Sequence, residues 1–264
     1  MKEPILFKDG QLPPSLMPIE VRSAGAHESI FSFHEIIQGG QTHEFKFHAG
    51  PGSVLEVVLF QNVPLSEDVQ IKVAATTEKD SAFKLTVIQN GGSRALVDLH
   101  SESLGSNSKC EVRGLQNAKG SQKLFFNARG VHSIPHTSSD LQVWSAVQDE
   151  SRSVFNGLIQ FGQGASHTEA YQKNKNLILS DRATVDSFPK LLIANDQVKC
   201  AHGSSTSTLQ PDQAAYLQSR GIDQSQAELM LVQGFLRQAI SWIGNSECRR
   251  SIEKSLNLEN EEWV

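Results

Sequence analysis

From Thr42 onward the chain alternates short apolar runs with polar corners. His43-Glu44-Phe45-Lys46-Phe47-His48 is an alternating run that puts Phe45 and Phe47 on one face of a strand. Residues 54–60 are almost continuously apolar, the pattern of a strand covered on both faces or set in a parallel sheet. Further strands are predicted over 69–75, 83–88, 95–99 and 110–115, with Ala49-Gly50-Pro51-Gly52 and Asn90-Gly91-Gly92 as turns. The runs continue through Leu124-Phe125-Phe126, Val143-Trp144-Ser145-Ala146-Val147, Val154-Phe155, Leu158-Ile159-Gln160-Phe161, Leu177-Ile178-Leu179, Leu191-Leu192-Ile193 and Val198.

Phe155, Ile178 and Val198 recur at roughly twenty-odd residues, a length that suits one coil of a solenoid in which each rung covers the next. Nothing between 42 and 208 has helical spacing, so no crossover helices are available for a doubly wound sheet. The pattern favours a parallel β-helix over an α/β fold and leaves a β-sandwich open.

After 208 the period changes. Pro211 suits a first helical turn and Gly221 a stop. Asp223 is the expected N-cap of a second helix, with Gln226 placed for a capping box. Ala227, Met230, Leu231, Gly234 and Phe235 then fall on one face, with Leu236 and Ile240 extending or flanking the stripe as far as Trp242 or Ile243. Gly244-Asn245 breaks this helix, and Ser246 is expected to cap a last one carrying Ile252 and Leu256. Three parts result: an irregular N-terminal segment over 1–40, where Pro13, Pro14 and Pro18 forbid a long helix and Ile5-Leu6-Phe7 forms a lone strand or anchor; a β-helix core over 41–208; and a C-terminal helical domain over 209–264.

Composition narrows the function classes. The chain has 264 residues, a net charge of −5 and 20% charged residues, so nothing suggests a nucleic-acid partner, which a basic face would meet. There is no long apolar run for a membrane span, and the first residues lack a signal-peptide core; a cytoplasmic location is the expectation. Cys110, Cys200 and Cys248 are far apart and form neither a CxxC pair nor a disulfide framework.

Cys200 and His202 are the sharpest candidates. Residues two apart on a strand face the same way, so a thiolate and an imidazole can meet at one spot, as iron or zinc ligands. Two ligands do not close a site, so a partner would supply the rest. The alternative is a buried core thiol beside a hydrogen-bonded turn histidine. His132 and His136, around Ser133-Ile134-Pro135, read as surface turn histidines, and His167 as part of a polar corner. His43 and His48, five apart, face opposite ways. Cys248 lies near a helix start, which can lower a thiol pKa, but packing is its default role. Asp181-Arg182 and Asp186 look like solvated corners or a local ion pair. Gly162-Gln163-Gly164 lacks the Lys-Ser/Thr of a phosphate loop, so the chain should not hydrolyse ATP itself.

Three stretches carry a resemblance: Gly157-Leu158-Ile159 through Thr168-Glu169-Ala170-Tyr171-Gln172; 176–203, with Val198-Lys199-Cys200-Ala201-His202-Gly203; and Ala214-Ala215-Tyr216-Leu217 with Ser219-Arg220-Gly221-Ile222 and on to Gly234-Phe235. Together they resemble the SufB/SufD family of the SUF iron–sulfur cluster assembly complex, on its SufD side. The resemblance implies a right-handed parallel β-helix with a C-terminal helical domain. It also implies pairing with a SufB-like subunit (or a second copy) through the β-helix, and docking of the helices on a SufC-like ABC ATPase. Transient iron or a nascent cluster would be handled at the subunit interface, with His202 and, less directly, Cys200 as the metal-site residues. The place of SufB's cluster-assembling cysteine is here Asn174, and that of the glutamate after its histidine is Gly203, neither of which supplies a thiolate or carboxylate. The family's N-terminal helical region is expected to be missing or reduced to 1–40. Against this non-catalytic scaffold stand a β-helix lyase or hydrolase, for which no paired-carboxylate motif is evident, and a Cys–His nucleophile at Cys200, for which no orienting third group is evident.

Overall fold

The computed structural model of the protein describes residues 5–8, 19–23 and 28–258. Strands alternate between two parallel sheets, so each coil contributes one strand to each. The odd-numbered sheet contains β1 (Ile5–Lys8), β3 (Ser29–Ile36), β5 (Val54–Gln61), β7 (Ala82–Gln89), β9 (Lys109–Ala118), β11 (Ser138–Val147), β13 (Thr168–Ile178) and β15 (Val198–Thr208), in that order. The even-numbered sheet contains β2 (Ile19–Ser23), β4 (Thr42–Ala49), β6 (Asp68–Thr77), β8 (Arg94–Ser103), β10 (Lys123–His132), β12 (Arg152–Phe161) and β14 (Thr184–Ile193). This is a parallel β-solenoid. The rung is longer than the spacing of apolar runs suggested: side chains that bond across successive rungs are typically 27 to 31 residues apart. Counting run to run had stepped from β12 to β13 and then from the end of β13 to the start of β15, so neither interval measures a rung.

Strand composition follows what covers each face. In β6, Val69, Ile71, Val73 and Ala75 are buried in the coil while Lys72 and Ala74 face solvent, the alternation of a sheet with one wet side. In β5, residues 57–61 are all buried, because Leu55, Val57 and Leu59 fill the coil while Val58 and Phe60 lie under the helices. The interior is aliphatic and aromatic in its early and middle rungs, with Phe47 stacked between Phe45 (5.9 Å) and Phe83 (5.7 Å). At the corner leading from the even to the odd sheet, Asp80, Asn107, His136 and His167 repeat one left-handed conformation, φ 57–59°. Asn107 donates to Asp80 along this ladder, at 2.8 Å.

One expectation is corrected here. The described residues before 41 are not all irregular: β1, β2 and β3 pair in parallel as rungs. Phe31, Phe33 and Ile36 on β3 pack into the two cores, a periodicity hidden by the short β2 and by the surrounding polar residues. The three prolines lie outside the described residues.

The helices are α1 (Pro211–Ser219), α2 (Gln224–Ile240) and α3 (Ser246–Ser255). Pro211 opens α1, and the Asp223 carboxylate caps α2 by accepting from Gln226 N at 3.0 Å. The α3 cap is Asn245, not Ser246; it accepts from Glu247 N and Cys248 N. Of the expected stripe of α2, Ala227 is buried and Phe235 packs against the helix–sheet core, and the flanking Leu236 and Ile240 are at its centre. Leu236, Ala239 and Ile240, followed by Ile243, pack with Cys248, Ile252 and Leu256 onto Phe60, Ile88, Leu115 and Trp144 of the odd sheet. Met230 and Leu231 are half-buried and Gly234 is exposed. The partner of α2 is a sheet face, and the stripe that meets it starts further along the helix. Beneath the end of α2, Arg113 is 2% exposed, donates to Asp140 at 2.6 Å, and lies 4.1 Å from the Trp242 ring centroid.

Candidate functional site

Among the described residues the last strands of the two sheets are β14 and β15, which pair with β12 and β13. In β15, Val198, Cys200, His202, Ser204 and Thr206 occupy the coil-facing register, opposite Thr168, Ala170, Gln172, Asn174 and Asn176 of β13. Among the described residues no further rung stacks on them, so they face an open end of the coil. Here the interior turns polar: Gln172, Asn174 and Asn176 are buried where earlier rungs carry Leu141 and Val143.

Cys200 is half-buried at this end, its stem against the Ile159, Phe161, Ala165 and Ala170 cluster. Desolvation raises its thiol pKa, so it rests as a thiol at neutral pH and must lose a proton to bind a metal. His202 is exposed, and its Nδ1 lies 2.9 Å from the Pro189 carbonyl oxygen on β14. A carbonyl only accepts, so Nδ1 carries the hydrogen and Nε2 keeps its lone pair free for a metal. The ring thus spans the mouth of the coil from one sheet to the other. Gly203 has no side chain to add, although a Cβ there would meet nothing within 4 Å. Among the described residues no three His, Cys, Asp or Glu side chains gather as a metal site. Cys200 and His202 therefore offer one sulfur and one nitrogen at a rim.

The other candidates are distributed differently from expectation. His132 is not a surface turn residue: it is 1% exposed, bonded to Thr137 and Ser139 at 2.8 Å each and stacked on Phe161. Burial lowers its pKa to about 4. As the last residue of β10 it takes a coil-facing position that the adjoining proline turn concealed. His136 and His167 are exposed and stack on each other at 5.0 Å. His43 contacts the Gln38 carbonyl and His48 contacts Thr76. Cys248, despite its place on the first turn of α3, has its thiol pushed up to about 12 by burial and then by Glu56. Cys110 is pushed up to about 11, chiefly by burial. Arg182 pairs with Glu150, and Asp186 with Arg152, across rungs, not within one corner. A groove of ≈390 Å³ on the wet face of the even sheet holds one carboxylate, Asp98, whose oxygens accept from Gln70 and Asn127.

Sequence reasoning did not single out the exposed apolar side chains of the terminal strand, two on its outer face and Ile193 in the coil-facing register opposite Phe161. Phe188, Leu192 and Ile193 are 48%, 55% and 48% exposed. Periodicity marks them as apolar but cannot show that β14 is the last strand of its sheet.

A coil capped on one flank by helices, with donors at the end of its last described rung, defines a β-solenoid protein whose end rung is exposed among the described residues. Residues 19–235 match the SufBD core domain of the SUF system for FeS cluster assembly, and the chain belongs to that family. It is 30% identical to the protein ABCI7, chloroplastic, of Arabidopsis thaliana over 74% of this chain and 44% of that protein. It is 37% identical to the iron–sulfur cluster assembly protein SufD of Escherichia coli over 49% of this chain and 27% of that protein. With SufD of Bacillus subtilis the figures are 32%, 47% and 28%. The chain spans less than half the length of these relatives. Family members are involved in iron–sulfur cluster assembly. No described helix is long and apolar enough to cross a membrane.

Proposed function

We propose that this chain is a non-catalytic, SufD-like scaffold subunit of an iron–sulfur cluster assembly complex. Its terminal rung pairs with a SufB-like subunit or with a second copy, and its helices engage a SufC-like ABC ATPase. His202, with Cys200, presents donors to iron or a nascent cluster, which is cargo at that interface. The observation that carries the reading is the open rung itself. Edge strands leave backbone donors and acceptors unpaired and are ready templates for another chain. Here that edge is flanked by exposed Phe188, Leu192 and Ile193 and faces outward with one thiol and one tautomer-fixed imidazole. For the ATPase, a groove of ≈380 Å³ between α1 and α2 is lined by Tyr216, Leu217 and Leu231, and Leu229 is exposed nearby on α2.

Co-expression with the SufB-like and SufC-like proteins of the same cell tests this. A stable complex whose cluster yield falls on His202→Ala is expected. Normal yield in that variant would remove the role of His202, and failure to form any complex would remove the scaffold reading.

A further inference from the structure

The groove of ≈390 Å³ on the wet face of the even sheet has no role in the scaffold reading, and its size falls in the range of small-molecule sites. Two columns of outward side chains wall it. Asp98, Asn127, Asn156 and Phe188 are register neighbours on β8, β10, β12 and β14. Arg129, Leu158 and Lys190 form the second column, two residues further along β10, β12 and β14. All of them line the same groove. Columns two residues apart on a strand stand about 7 Å from each other, and successive rungs about 4.8 Å.

The first wall has a fixed polarity. A carboxylate only accepts, so Asp98 turns the nitrogens of its amide neighbours toward itself: Gln70 Nε2 donates at 3.0 Å and Asn127 Nδ2 at 2.7 Å. Asn127 Oδ1 in turn accepts from Asn156 Nδ2 at 2.8 Å. With its nitrogen turned toward β10, Asn156 directs Oδ1 away from β10, and among the described residues no donor reaches that oxygen. This open acceptor stands one rung from Phe188, whose ring is 48% exposed. The second wall is cationic. Arg129 is held by Gln160 Oε1 at 2.7 Å, and Lys190 is exposed, with Leu158 between them as apolar surface. The single carboxylate is committed to the ladder, so the groove lacks the carboxylate pair of a glycosidase and is suited to binding without cleavage. A ligand that satisfies both walls brings a flat ring with a donor on its edge and an anionic group across from it.

We propose that this groove binds a nucleoside monophosphate whose base carries an amino group. The base stacks on Phe188, its amino group donates to Asn156 Oδ1, the sugar lies over Leu158, and the phosphate meets Lys190 and Arg129. Aromatic rings accept the face of any base, whereas the amide acceptor selects a base with a donor edge. Guanidinium and ammonium groups are the usual partners of phosphate. The site is separate from Cys200 and His202 and does not depend on the iron-handling reading.

The test is calorimetric titration of the full chain with adenosine monophosphate, with circular dichroism and melting to confirm that each variant folds. Wild type is expected to bind it, and to bind adenosine, ribose phosphate and inosine monophosphate more weakly; inosine carries an oxygen where adenosine has the amino group. Phe188→Ala is expected to weaken binding by about fivefold to 150-fold, the loss of one stacked base. Lys190→Ala should weaken it about tenfold or more, the scale of a hydrogen bond to a charged group. Asn156→Leu should abolish the preference over inosine monophosphate, and His202→Ala, outside the groove, should bind like wild type. No binding by wild type at millimolar ligand would overturn the proposal. So would ribose phosphate binding as tightly as the nucleotide, or Phe188→Ala and Lys190→Ala both staying within about twofold of wild type, well inside the expected losses.

Discussion

The histidines of this chain divide by solvation. His202 sits at the mouth of the coil with one nitrogen tied to a main-chain carbonyl, whereas His34 and His132 are buried and have pKa values lowered to about 4 by desolvation. Unfolding returns each of these two to an ordinary value near 6.5. Between pH 6.5 and 4 the unfolded chain therefore binds more protons than the native one. Their contribution is complete above pH 6.5 and is lost as pH falls toward 4, by about 3 kcal/mol per histidine. Urea midpoints measured across that range should drop more steeply for wild type than for His132→Gln; parallel curves would show that His132 does not titrate in this way. The residues that sequence reasoning placed well are those whose chemistry shows in local spacing, such as Phe45 with Phe47 and Cys200 with His202. His132 and Gln172 were missed as buried polar groups, because nothing local shows what lies across the coil.

At the scale of elements, the helices complete the core. Leu236, Ala239, Ile240, Cys248 and Ile252 cover an apolar stripe on the outside of the odd sheet that runs from Phe60 to Trp144. That explains why odd-sheet strands beneath the helices, such as β5, are apolar on both faces while even-sheet strands such as β6 alternate. Truncating Ile240 or Ile252, both 0% exposed, to alanine should cost about 2–5 kcal/mol and lower the melting temperature of the whole chain in one transition. A separate early transition, with the solenoid unchanged, would mean that the helices are an independent unit. The existence of strands and helices was legible from periodicity, and the cap at Asp223 from residue type. The buried face of α2 was legible in part, through Ala227, Phe235, Leu236 and Ile240; that Met230, Leu231 and Gly234 lie outside it was not, because only the shape of the sheet beneath selects between overlapping stripes. Before Thr42, β2 was concealed by brevity: it has five residues, too few for alternation to stand out.

For the whole molecule, the two flanks and the end differ in what they leave unsatisfied. One sheet is covered by helices, the other is a wet face with a polar ladder, and the last rung ends in unpaired edge strands with exposed apolar side chains. A coil architecture was readable from the repeated runs and from the lack of crossover helices. Its rung length and two-sheet cross-section were not, because runs in alternating sheets look like successive rungs. The order of the chain makes Cys200 and His202 part of the final rung, and this position at the end gives both residues their outward access. The central claim is that a second polypeptide closes this end. Amide hydrogen exchange with and without the SufB-like partner measures it most directly. Marked slowing along β14 and β15 on complex formation, over and above the helices and the wet face, is the expected result. Unchanged exchange in those two strands within a stable complex would contradict the account.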